Sequence, residues 1–118
     1  MFTATQQQSL VDECHQWRNE LVSWRQRLHE LKNELYSFAP GKTNHDVTTG
    51  IEHFHNQLHL QLINIHDLKH EIKRHLAETE RYPTFGPRVA HRIIKDKVDM
   101  LVNDLDNLEN EFHSFIQP

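Results

Sequence analysis

The chain has 118 residues, 36% of them hydrophobic and 25% charged, with three Gly, four Pro and a formal net charge of −4 when histidine is neutral. That length fits one domain, 1–118, and the scarcity of Gly and Pro argues against collagenous, repetitive and disordered classes. A single cysteine excludes an internal disulfide and a Cys-rich zinc site, and no apolar run reaches the roughly 18 residues that a membrane span needs.

Residues 1–7 are polar and lack a periodic anchor, so fraying is expected there. They show no basic segment leading into an apolar run, so no signal peptide is expected, and the expected setting is soluble and cytoplasmic. The first helix is expected over about 8–38. Its seam is Leu10, Cys14, Trp17, Leu21, Trp24, Leu28, Leu31, Leu35 and Phe38, with steps of four and three in unbroken alternation. That is coiled-coil spacing. Cys14 lies on the seam and reads as a buried small side chain. Trp17 and Trp24 also lie on it and should be buried; two Trp need more room than a two-stranded coil offers, so three or more helices are expected. One flank of the seam carries Arg18, Arg25 and Lys32; the other carries Glu13, Glu20, Arg27 and Glu34.

Ala39-Pro40-Gly41 ends this helix, since Pro40 disfavours helical geometry at Ala39 and Gly41 tolerates positive φ. Thr43, Asn44 and Asp46 are all competent N-caps for a second helix over about 46–80. Gly50 near its start costs about 1 kcal/mol relative to Ala, so the helix either runs through it or begins just after it. Its apolar face is Ile51, Phe54, Leu58, Ile65, Leu68 and Ile72, with Gln61 at the one missing place. Pro83 stops it, and YPTFGP reads as the second loop. Pro87 suits the first turn of a third helix over about 87–116. The third seam is Ile94, Val98, Leu101, Leu105, Leu108, Phe112 and Phe115, and one step back it reaches His91.

Short loops make neighbouring helices antiparallel. The expected fold is therefore all-α: an elongated, antiparallel, up-down-up three-helix coiled-coil bundle. Its plan is similar to that of spectrin repeats, which also carry a Trp in their first helix; the resemblance is one of architecture.

Six of the eleven histidines fall between Ile51 and Leu76. His55 and His59 are four residues apart, as are His66 and His70, and such pairs lie on one helix face where they can chelate zinc, nickel or copper. Each pair lacks a third ligand. Hemerythrin-like di-iron proteins need a His-x-x-x-Glu that this chain lacks, and ferritin-like sites need two Glu-x-x-His motifs where only Glu52/His55 is present. There is no Gly-rich phosphate loop and no nucleophile elbow, so neither an enzyme nor a cofactor is expected.

Between Lys69 and Lys97 lie eight basic and four acidic residues, a net of +4 that leaves −8 for the rest of the chain. A hairpin between the second and third helices gathers these charges at one pole. Lys73, Arg74, Arg81, Arg88 and Arg92 are the candidate anion-binding residues there, with Tyr82 and Phe85 in the connecting loop. An acidic protein suits this field better than nucleic acid, which needs denser positive charge.

The leading expectation is a non-enzymatic structural or interaction module that forms a homodimer through Leu60 and Ile63, which point away from the second seam. The alternatives are a metal- or pH-responsive module using the His-rich helix, and acidic-partner binding at the basic pole. Eleven histidines can carry the formal charge from −4 towards +7. Histidines facing like charge at the pole, or desolvated on the seam as His91 is, resist protonation. Net destabilisation is therefore expected between about pH 6.5 and 5.

Overall fold

Three helices lie side by side: α1 (Ala4–Phe38), α2 (His45–Arg81) and α3 (Phe85–Ile116). The structure, a computed structural model, describes residues 4–81 and 85–117, with the backbone alone for residues 4 and 85–89. Cross-helix pairs fix the directions. Gln7 bonds the Thr79 carbonyl while Tyr36 meets His55, so α1 and α2 are antiparallel. His75 meets His91 and Phe54 meets Phe112, so α3 turns back again. The bundle measures 62 × 18 × 17 Å. Its radius of gyration, 18.2 Å, exceeds the roughly 13–14 Å of a compact chain of this length, because one layer of long helices has nothing to fold back on.

The 3–4 seams of all three helices form the core. Leu21, Leu28, Leu31 and Leu35 of α1, Leu58, Ile65 and Ile72 of α2, and Val98, Leu105 and Phe112 of α3 are all buried. Trp17 is buried as the spacing predicts, but Trp24 is only partly so. Its ring lies at the α1–α3 margin beside Arg27 and Glu109, which pair across it. Among the three helix pairs, α1 and α3 touch least, which leaves this margin shallow.

The helix ends follow local chemistry. Gly41 takes φ +81° in the first connection. Of the three candidate caps Asn44 is used: its side-chain oxygen accepts from the backbone N–H groups of Asp46 and Val47. Asp46 then favours the positive end of the α2 dipole. α2 runs straight through Gly50, where the tip of the Phe115 ring stands in the place of a Cβ, so a side chain there would require that ring to shift. Two boundaries differ from expectation. α1 begins at Ala4 instead of near residue 8, held by the Gln7 bond to Thr79. α3 begins at Phe85, two residues before Pro87. Pro87 is tolerated there because the N–H groups of a first turn have no intrahelical partner anyway. Tyr82, Pro83 and Thr84 of the expected second loop lie outside the described residues.

Candidate functional site

The two ends of the bundle differ. At the α1–α2 connection the core ends in aromatic rings: Phe54 meets Phe112 and Phe115, and Phe38 meets Phe115. At the other end the same seams carry polar groups. Cys14 of α1, His75 and Thr79 of α2, and His91 of α3 are all buried. His75 Nε2 and His91 Nδ1 are 2.9 Å apart, a hydrogen bond between two imidazoles. Trp17 stacks on His91 with ring centroids 4.5 Å apart and closes the layer from the core side. Thr79 Oγ1 donates to the His75 carbonyl, an i−4 bond that satisfies its hydroxyl within the helix. His75 Nδ1 has no partner, and neither has His91 Nε2 within hydrogen-bond geometry. Glu13 Oε1 lies 3.5 Å from that nitrogen, too far for a good bond but near enough for attraction. One donor atom from each of Cys14, His75 and His91 falls within 4.8 Å of the others.

Burial is the main influence on all three groups. It pushes the Cys14 thiol up to about 11, with Glu13 and Glu80 adding to the effect. It lowers His75, helped by the charge of His91 and opposed by Glu78. It lowers His91 as well, opposed by Glu13 and helped by Lys95. An unfolded histidine titrates near 6.5. With both folded values lower, the unfolded chain binds more protons below that pH. Their contribution to stability is therefore complete above about pH 6.5 and declines as pH falls from there towards the folded values. Thermal melts with a chelator present, at fixed ionic strength, are expected to give a lower Tm at pH 5.5 than at pH 7. A flat or rising Tm refutes this.

A second feature runs along the α1–α2 face. Arg25, Lys32 and Lys69 line an open groove of about 590 Å³ with Leu62, Ile63 and Ile65 as its apolar part. Through His66 and Lys69 it continues into a hollow of about 180 Å³ that adds Arg18, His70 and Lys73. His29 and His59 complete the wider part. Among the described residues no carboxylate lines either segment. Among the described residues none of the five cations has an ion-pair partner; the pairs found are Arg27 with Glu30 and Glu109, Lys97 with Glu71, and the weaker His91–Glu13 and His113–Glu34 contacts. Lys32 approaches the Tyr36 ring instead, at 6.0 Å.

The residues singled out by sequence are scattered over these features. His66 and His70 touch, ring centroids 4.5 Å apart, but their hollow is lined by Arg18, Lys69 and Lys73. His55 meets the Tyr36 hydroxyl at 3.3 Å, and His59 lies in the groove wall. None of these four joins a group of three or more metal-ligating side chains among the described residues. The basic pole divides. Lys73 faces the α1 side, and Arg74 lines a hollow of about 300 Å³ between α2 and α3. Arg81 and Arg92 are exposed, and the side chains of Arg88 and Phe85 lie outside those described. Leu60 and Ile63 are 47% and 44% exposed.

Sequence reasoning reached His91 as a seam position but did not join it to Cys14 and His75. The signal is the 3–4 alternation of α2, which continues beyond Ile72 to His75 and Thr79 once polar residues are admitted to it. No protein-family model, curated protein or solved structure matches the chain. Among the described residues no helix is long and apolar enough to cross a membrane.

Proposed function

We propose that this chain is a non-enzymatic interaction module whose basic α1–α2 groove receives an acidic, amphipathic helical segment of another protein. The observation that carries this reading is the row of five cations without ion-pair partners among the described residues, beside an apolar strip. Leaving like charges together is unfavourable for the isolated bundle, and an acidic partner relieves it. From Arg18 to Lys32 the row extends about 21 Å, the length of roughly 14 helical residues. Leu62 and Ile63 offer that helix an apolar contact, which a nucleic-acid backbone does not use. The net charge of −4 also opposes a polyanion that spreads beyond the groove. The test is titration with a Glu- and Leu-rich helical peptide, with single-stranded RNA as control. Binding is expected to weaken as salt rises, and Arg25→Glu with Lys32→Glu should reduce it about tenfold or more. Equal binding by the reversed-charge variant, or preference for RNA, removes the proposal.

A second reading, self-association, is supported by Leu60 and Ile63, two large apolar side chains one turn apart and each nearly half exposed. Sedimentation at micromolar concentration is then expected to give about twice the 14.1 kDa chain mass, and Leu60→Glu should return it to the monomer value. A monomer indifferent to that substitution ends this reading.

A further inference from the structure

We propose that Cys14, His75 and His91 form a site for a borderline-soft transition metal ion of the zinc(II) class, one that joins all three helices at the polar end of the bundle. This inference is independent of the groove. It rests on geometry: one donor atom from each residue falls within a 4.8 Å cluster, and all three side chains are buried. One thiolate and two imidazoles make a ligand set that zinc accepts, with a fourth position left for water.

The separation of the two histidines needs little change. His75 Nε2 and His91 Nδ1 now sit 2.9 Å apart. Tetrahedral zinc with nitrogen ligands at about 2.0–2.1 Å holds two such nitrogens roughly 3.3 Å apart. An ion therefore enters by replacing the imidazole–imidazole hydrogen bond: the two nitrogens separate by a few tenths of an ångström, the rings turn to aim both lone pairs at the ion, and Cys14 Sγ closes in from within 4.8 Å.

The remaining ring nitrogens fit the same arrangement. His91 Nε2 lies 3.5 Å from the Glu13 carboxylate, which favours the tautomer with the N–H on Nε2 and the lone pair on Nδ1. A metal on Nδ1 with a carboxylate behind Nε2 is the usual way a ligand histidine is oriented. His75 then donates from Nε2 in the metal-free state and leaves Nδ1 bare and without a partner. On binding, the His75 proton moves to Nδ1, which frees Nε2 for the ion. Cys14 loses its thiol proton to solvent as the metal–sulfur bond forms. The balance is one ion bound and one proton released for each site.

The surroundings favour a cation. Glu13, Glu78 and Glu80 act on the three ligands and Lys95 opposes them. Burial, with Glu13 and Glu80, holds the thiol protonated in the metal-free protein, and those two carboxylates attract the ion that displaces its proton. An approach exists: His75 lines the α2–α3 hollow, whose rim carries Glu71, Arg74 and Glu78.

The experiment titrates cobalt(II) into the full chain after reduction and chelator treatment. One equivalent is expected to bind, with a thiolate-to-cobalt charge-transfer band and the intense visible absorption of tetrahedral cobalt. Cys14→Ser and Cys14→Ala should each lose the charge-transfer band while circular dichroism shows the helices intact. Glu13→Gln, which changes only the group behind His91, should weaken zinc binding about 10–100-fold. His66→Gln combined with His70→Gln should change neither measurement. Absence of the band in the native chain, its survival in both Cys14 variants, or its loss on replacing His66 and His70 overturns the proposal.

Discussion

Replacing Trp17 with alanine is expected to cost about 3–5 kcal/mol of folding stability, within the range for a buried large aromatic. The indole is 6% exposed and is the last large apolar group before the polar layer. It lies against His91, with centroids 4.5 Å apart. Its loss therefore both opens a cavity and wets the His75–His91 pair, whose unpartnered nitrogens then gain water. The cavity dominates, because removing so many buried contacts outweighs solvating two nitrogens. Trp24→Ala provides the internal control. That side chain is partly buried at the α1–α3 margin, so about 1–2 kcal/mol is expected, in proportion to the area it hides. Urea denaturation of the two variants checks the contrast. Equal losses, or less than about 1 kcal/mol at Trp17, reject the difference in depth between these seam positions.

That difference marks how far the sequence was legible. Spacing along a helix gives direction: every seam residue that repeats at three and four faces the other helices, and the order α1, α2, α3 with its reversals follows from two short connections. Depth depends on how closely a neighbouring helix approaches, and a single sequence carries no such distance. Trp17 and Trp24 occupy equivalent places in the heptad and differ for that reason. The polar layer was hidden in another way. His75 and Thr79 continue the α2 face by steps of three and four, yet a search for apolar residues stops at Ile72. Their burial becomes visible only when α1 and α3 supply Cys14, Trp17 and His91 at the same level.

The basic groove shows the complementary case. Arg18, Arg25 and Lys32 were recognisable as one flank of α1, and His59, His66 and Lys73 as positions on α2. What brings them together is register. Tyr36 meets His55, and counting back along α1 and forward along α2, by four and then by sevens, sets Lys32 near residue 59, Arg25 near 66 and Arg18 near 73. The charges expected at a single pole divide for the same geometrical reason. Successive residues on a helix point about 100° apart, so Lys73 turns towards α1 while Arg74 turns towards α3. Two charges of α3 are held by cross-helix pairing: Lys97 with Glu71 at 2.6 Å, and Glu109 with Arg27.

Phe112→Ala is expected to be as damaging as the loss of Trp17, at about 3–5 kcal/mol, and at the opposite end of the molecule. Phe112 is fully buried and meets the Phe54 ring edge-on, with centroids 5.5 Å apart. Phe54 in turn touches Phe115, and Phe115 covers Gly50 and meets Phe38. Each ring is therefore positioned by the next, and removing the deepest one leaves a void that its neighbours cannot fill without abandoning their own contacts. Gly50 limits the repair. The Phe115 ring tip already occupies the space where a Cβ would stand, so the ring can advance into the void only by uncovering the α2 backbone. Phe112→Leu keeps most of the volume and should cost about half as much, whereas Phe115→Ala, at a partly buried position, should cost about 1–2 kcal/mol. Denaturation of the three variants, followed by tryptophan fluorescence and circular dichroism together, distinguishes a cooperative loss from fraying of the aromatic end. Coincident transitions with Phe112→Ala the weakest fit this account, and a cost no larger than that of Phe115→Ala contradicts it.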